Sequence, residues 1–238
     1  MSSISAGLAR PFSRPLLAGA NFRDRISACA GALAGIGLTA LLSSLLPGGA
    51  SNLPILVAPM GASAVLLFAV PASPLAQPWP IVGGNVISAL IGVAVARLVP
   101  DLWVAAGAAV GVAILVMSLL RCLHPPGGAA ALLAVLGGPP IAAAGYAFAL
   151  IPVGLNALLL VAAGWAFHRF SGHSYPHRAV PVAGHSVTIA EDPRFRPEDI
   201  DAALAELGET FDVSREDLDL LFRIAERRAG ERRRGAAQ

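Results

Sequence analysis

Long apolar runs, bounded by prolines, glycines or charges, divide this chain into six segments: Ile26–Leu46, Leu53–Val70, Ile81–Val99, Leu102–Leu120, Leu123–Leu136 and Ile141–Phe167. A helix needs about 20 residues to cross roughly 30 Å of hydrocarbon. The first, third and fourth runs are comfortable spans, and the last is long enough to tilt or to kink at Pro152. The second and fifth are broken internally by proline and glycine, and the breaks resemble each other. "PMGASAVLL" from Pro59 and "PPGGAAALL" from Pro125 share a proline, a glycine, an alanine and two leucines in register. A second echo follows in the same order, "SALIGV" from Ser88 and "FALIPV" from Phe148. The pattern predicts an all-α membrane protein, a bundle of six segments built as a three-plus-three internal repeat with two broken half-helix segments. If all three segments of a unit cross, the units are inverted, as in many secondary transporters. If the broken segments only dip in and return, four crossings remain. The loop Ser73–Trp79 separates the two: six crossings place it on the side of the termini, four on the opposite side.

After Phe167 the pattern changes. "HRFSGHSYPHRAVPVAGHSV" is a polar linker, and the chain from Pro197 onward predicts a helical hairpin. Pro197 is a good first helical residue with acidic residues behind it, and Ile200, Leu204 and Leu207 share a face. Ser214 and Asp217 make a capping-box-like start to a second helix with an apolar stripe through Leu218, Leu221, Phe222 and Ala225. "ERRRGAAQ" is expected to fray or to meet lipid headgroups. The resulting division is a cytoplasmic segment 1–25, a transmembrane domain 26–168, a juxtamembrane linker 169–190 and a cytosolic hairpin with a basic tail 191–238.

Charge orients this arrangement. Charged residues make up 13% of the chain, against about 25% in soluble domains. Between Ile26 and His168 only Arg97, Asp101 and Arg121 are charged. Arg10, Arg14, Arg23 and Arg25 precede the first span, and Arg169 and Arg178 follow the last, which puts both termini in the cytoplasm. All 17 basic residues are arginine, as in a GC-rich genome, and the membrane expected is a bacterial inner membrane. The first apolar run is too long for a signal peptide and lacks a small-residue cleavage site. Trp79, Trp103 and Trp165 sit near segment ends, where an indole favours the interface. Gly31-x-x-x-Gly35 and Gly107-x-x-x-Gly111 would let helices approach closely. Cys29 and Cys122 fit neither a disulfide framework nor a metal pattern, and Gly172 and Pro176 break any helix that would align His173 with His177 as ligands.

The chemistry concentrates at the breaks. Proline and glycine free backbone groups that lipid cannot satisfy, so such breaks survive only where buried in protein or lining a polar cavity. From Gly61 to Val70 and from Gly127 to Leu136 is ten residues each, about 15 Å of helix or half the hydrocarbon core. Each break is therefore expected to start a half-helix whose free N–H groups and positive dipole end favour an anion. The breaks are set by Pro59, Pro125 and Pro126. Two such starts facing each other make a better site, and the anion is expected between them, among Gly61, Ala62, Ser63, Gly127, Gly128 and Ala129. His124 would add a proton or a hydrogen bond, and Gln77 and Asn85 complete the site. Ser88 and Asn156 are further polar residues in apolar surroundings.

"APMGASAVLLF", "PLAQPWPIVGGNVISALIG", "LHPPGGAAALL" and "YPH" together resemble the HPP family of integral membrane proteins, named for the motif at His124-Pro125-Pro126. The resemblance runs from about Arg23 to His177. Cyanobacterial and plastid members are linked to nitrite transport, so it implies a transporter or channel for nitrite or a similar small anion. The motif residues carried over are Pro59, Gly61, Ser63, Gln77, Pro78, Gly83, Gly84, Asn85, His124, Pro125, Pro126, Gly127 and Gly128. Family descriptions count four transmembrane helices. Many bacterial members continue into nucleotide-sensing CBS domains, whereas this sequence offers only a hairpin like the segment before them, so adenylate regulation is not expected. The alternative function is a membrane sensor or scaffold that signals through its hairpin. An enzyme is not expected, because His124 has no acidic partner in the core and Asp24 and Asp101 lie near its edges. No cofactor or metal is expected. Expected partners are a small anion, the lipid bilayer and, optionally, further copies of the chain. Nucleic acid is not among them.

Overall fold

A computed structural model describes residues 22–45, 53–180, 196–208 and 210–235. The described residues fold as helices and turns without a strand. The helices are α1 (Phe22–Leu45), α2 (Pro59–Ala69), α3 (Asn85–Leu98), α4 (Leu102–Leu119), α5 (Pro125–Leu136), α6 (Gly138–Ala144), α7 (Leu155–Ser171), α8 (Pro197–Leu207) and α9 (Arg215–Gly235). Four stretches are long and apolar enough to cross a membrane: α1, Pro80–Leu98, α4 and Ala149–Ser171. α5 and α6 form a further pair bent by 98°, and α2 is a shorter apolar helix.

α1 and α4 turn mostly small side chains inward and large ones outward. α1 buries Ala28, Gly31, Gly35, Thr39 and Ser43, while Leu33, Leu41 and Leu45 are exposed. α4 buries Ala105, Ala109, Ala113 and Met117. Lipid is as apolar as Leu, so helices associate through close packing, and small residues permit it. Gly31-x-x-x-Gly35 behaves as expected, because a Cβ on either glycine would stand 2.6 Å from the Phe68 ring. Gly107-x-x-x-Gly111 does not: nothing lies within 4 Å of either, and the alanine stripe makes the contact instead.

α3 packs on α4 and α5, and α7 packs on α1 and α2. The long helix of each half of the chain is thus held by elements of the other half. α2 runs alongside α7 in the same direction, since Val57 meets Asn156 at one end and Leu67 meets His168 at the other. α5 runs with α3 in the same way, with His124 beside Gly84 and Ala131 beside Gly92. α3 and α7 are each preceded by a π-helical stretch, Pro80–Gly84 and Ala149–Gly154, and the second is kinked at Ile151. Each leads into a buried asparagine, Asn85 and Asn156. The second sequence echo does not follow this correspondence: Ser88–Val93 lies inside α3, whereas Phe148–Val153 lies in the π-helical approach to α7.

The loop after α2 lies on the face where α7 ends. The Tyr175 hydroxyl donates to the Ala76 carbonyl at 3.0 Å, and the His177 N–H donates to Gln77 Oε1 at 2.8 Å. The hairpin forms as expected, with Asp217 N–H bonded to Ser214 Oγ at 3.1 Å, but α9 stays helical to Gly235 rather than fraying. α9 ends in Arg232, Arg233 and Arg234, and basic side chains in a last turn favour the helix dipole. Of the expected N-terminal segment, residues 1–21 lie outside the described residues, as do 236–238.

Candidate functional site

The site forms around His124. Pro125 and Pro126 occupy the first turn of α5, where their missing N–H groups would have no helical partner anyway. The residue before a proline is pushed to extended geometry, and His124 sits at φ −144° and ψ 108°. That conformation turns the imidazole away from α5. Nδ1 meets the Leu75 carbonyl at 2.8 Å and Nε2 meets Ser63 Oγ at 2.8 Å. A carbonyl only accepts, so Nδ1 carries a proton. Ser63 also lies 3.1 Å from the Pro59 carbonyl one turn back in α2. From α3, Asn85 Nδ2 donates to the Ile81 carbonyl at 2.8 Å and to Ser63 Oγ at 3.3 Å. The Ile81 carbonyl fixes which end of the amide points where. Ser63, Asn85 and His124 are all fully buried.

Close backbone approach makes this meeting possible. A Cβ on Gly84 would stand 2.6 Å from His124 Cβ, and one on Gly127 would stand 2.8 Å from both the Gly84 carbonyl and Ser88 Oγ. Two polar atoms are left over. Asn85 Oδ1 and Ser88 Oγ are buried and have no partner among the described residues. Buried polar atoms are nearly always paired, because an unpaired one costs roughly 1–3 kcal/mol.

Asn156 has a different environment. Its Oδ1 accepts from Val57 N–H at 3.0 Å, and its Nδ2 donates to Ser43 Oγ at 2.9 Å and to the Ile55 carbonyl at 3.0 Å. Every polar atom of the side chain is engaged, tying α7 to α1 and to the approach of α2. Ser43 had no sequence signal beyond lying in an apolar run.

The starts of α2 and α5 do not face each other. α2 begins beside the start of α7, and α5 beside the start of α3. Ser63 of α2 meets the residue before α5, while Gly61, Ala62 and Ala129 lie on exposed faces and Gly128 is half-buried near Val110. The N–H groups of Gly61 and Gly127 already donate to the carbonyls of Ala58 and His124, at 3.0 and 2.8 Å. Gln77 braces the loop outside the cluster: its Nε2 donates to the Pro71 and Ser73 carbonyls, at 3.0 and 2.8 Å. The same loop carries Leu75, so the brace also supports the ring of His124. Burial raises the Tyr175 phenol above its ordinary range, which keeps it a donor to this loop. The hairpin reaches the loop as well. Ser73 Oγ donates to Asp212 at 2.8 Å, and His177 Nε2 meets both oxygens of Asp217 at 2.9 and 3.0 Å. Among the described residues no three His, Cys, Asp or Glu side chains group as a metal site would require.

Known proteins share this region in sequence. A transmembrane protein of Dictyostelium discoideum is 35% identical over 131 residues, covering 53% of this chain and 46% of its own length. A second from the same organism is 35% identical over 120 residues, covering 49% and 38%. The chain thus spans less than half the length of either relative. No solved structure matches. The family model for the HPP transmembrane region matches residues 18–176, which takes in α1 to α7 and all of the cluster around His124. The chain belongs to the HPP family of transmembrane proteins.

Proposed function

We propose that this protein transports a small inorganic anion, nitrite first among the candidates, through the cluster where α2, α3 and α5 meet. The observation that carries the reading is an unpartnered hydroxyl, Ser88 Oγ, a spare buried donor in the cluster of His124, Ser63 and Asn85 in an otherwise apolar bundle. A cluster kept only to join helices would be satisfied as Asn156 is. Spare capacity at a helix break fits a ligand that is bound and released. His124, Ser63, Asn85 and Ser88 are the residues that would surround the anion, with Ser88 offering the free donor and Gly61, Gly127 and Gly128 shaping the breaks. Nitrite is favoured by the family resemblance.

The chain is read as crossing six times. α2 and α5 are then the short crossings, and the loop Ser73–Trp79 shares the cytoplasmic face with both termini. Their contacts with Tyr175 and His177 support that placement. Full burial of the cluster fits a transporter that alternates its access better than an open pore. Nitrite flux into liposomes, with and without a pH gradient, tests the function. Folded protein that gives no flux above empty liposomes overturns it. A thermal-shift screen of nitrite, nitrate, formate, bicarbonate and chloride ranks substrates, and His124→Ala is expected to abolish the shift.

One observation favours a second reading, a sensor that binds the anion without moving it. The hairpin is bonded to the loop that holds His124, directly through Asp212 and Ser73 and indirectly through Asp217 and His177, whose N–H donates to Gln77. Deletion from Glu191 onward separates the readings. Unchanged flux supports transport, whereas absent flux with loss of a signalling phenotype supports sensing.

A further inference from the structure

We infer that the cluster binds one proton together with each anion, at His124 Nε2, with the Ser63 hydroxyl as the group that accommodates it. The inference rests on the anion-transport reading and names its coupling ion. It follows from counting hydrogens. Nδ1 faces the Leu75 carbonyl and keeps its proton in either charge state of the ring. With the ring neutral, Nε2 is an acceptor and takes the Ser63 hydroxyl proton at 2.8 Å. With the ring protonated, Nε2–H donates to Ser63 Oγ, and the hydroxyl turns its own proton to the Pro59 carbonyl at 3.1 Å. Asn85 Nδ2 donates to Ser63 Oγ at 3.3 Å in both states. A solvent proton is therefore taken up by rotating one hydroxyl, with every existing partner retained.

Charge ties that proton to the anion. The atoms that meet the ring, the Leu75 carbonyl and Ser63 Oγ, are uncharged. α2 otherwise presents the Pro59 carbonyl, α3 presents Asn85 and Ser88, and α4 and its end present Met117 and Cys122. Of these residues only Cys122 carries a titratable group, the atom it presents is its carbonyl oxygen, and none is a carboxylate. Arg121, the charged residue closest along the chain, is exposed. A buried imidazolium without a counter-charge is strongly disfavoured. The bound anion supplies that counter-charge, and the unpartnered Ser88 hydroxyl is a donor left free to meet it.

The test is histidine ¹⁵N NMR of the full chain in lipid nanodiscs, with His124 assigned by the signals missing from His124→Gln. Nδ1 is expected to stay protonated throughout, and saturating nitrite is expected to raise the proton affinity of Nε2 at least tenfold. A titration of Nε2 unmoved by bound nitrite overturns the inference, as does an Nε2 that stays bare at every pH where the protein is folded. A parallel flux measurement keeps the two readings apart. Nitrite movement with no accompanying proton ends the coupling and leaves transport standing. If nitrite neither binds nor moves, transport falls, and coupling falls with it.

Discussion

Asn85 and Asn156 are the same residue type in matching positions, and their surroundings assign them different work. Asn156 satisfies a backbone N–H and a backbone carbonyl that would otherwise be orphaned in the bundle. Asn156→Ala is therefore expected to destabilise the protein by about 1–3 kcal/mol, read as a lower thermal midpoint in detergent. Asn85→Ala removes two donor bonds but also an unpaired oxygen, so it is expected to cost less stability and to abolish the anion-induced shift instead. Gly92 gives a third expectation. A Cβ there would lie 2.5 Å from the Ala131 carbonyl oxygen, a backbone atom that cannot swing aside. Gly92→Ala should push α3 from α5 and cost about 1–3 kcal/mol in the same assay. At this scale the sequence marked His124, Ser63 and Asn85 but not how they meet. His124 and Asn85 stand out in apolar runs, but Leu75 acts through a carbonyl, which every residue carries. Ser63 meets the ring only because α2 and α5 pack side by side.

Proline and glycine made the elements legible. α5 starts at Pro125 and α2 at Pro59, where the breaks predict them. The direction in which each span faces was hidden. α4 is apolar all round, so no polar face marks its outside, and nothing in the sequence distinguishes the alanine stripe from Gly107-x-x-x-Gly111. The asparagine correspondence was also obscured, because the approach to α7 is kinked where the approach to α3 is not. Short apolar echoes then match in letters without matching in place. The sidedness of α2 and α5 can be measured. In a background without Cys29 and Cys122, Ala72→Cys is expected to react with a membrane-impermeant maleimide from the side of the hairpin. Asp101→Cys should react from the opposite side. The reverse pattern, Ala72→Cys labelled from the side opposite the hairpin and Asp101→Cys from the hairpin side, would return the chain to four crossings.

The whole molecule is joined more tightly than its division into a membrane part and a hairpin implies. Arg215 binds Asp201 through two guanidinium nitrogens and holds its carboxyl below the usual range, linking α9 to α8. His177, Asp217, Ser73 and Asp212 then bond the hairpin to the loop of the membrane domain. A cavity of about 420 Å³ lies between them, lined in part by Gln77, Arg121, Arg178 and Glu216. Docking predicts that Ser73→Cys with Asp212→Cys, again without the native cysteines, forms a disulfide under mild oxidation. Adding Asp217→Asn, which removes the charged partner of His177, should lower that yield.

The exchange of α3 and α7 between the halves of the chain has a consequence for how the protein is made. When α3 leaves the ribosome, the helices that will cover it, α4 and α5, have not been synthesised. α1 and α2 likewise wait for α7, which comes last in the bundle. Neither half can finish its packing first, so assembly in the bilayer must be a late and concerted event. Two fragments divided at the short connection Val99–Asp101 should each be degraded when expressed alone. Expressed together, they should protect each other and be recovered through a tag on either one.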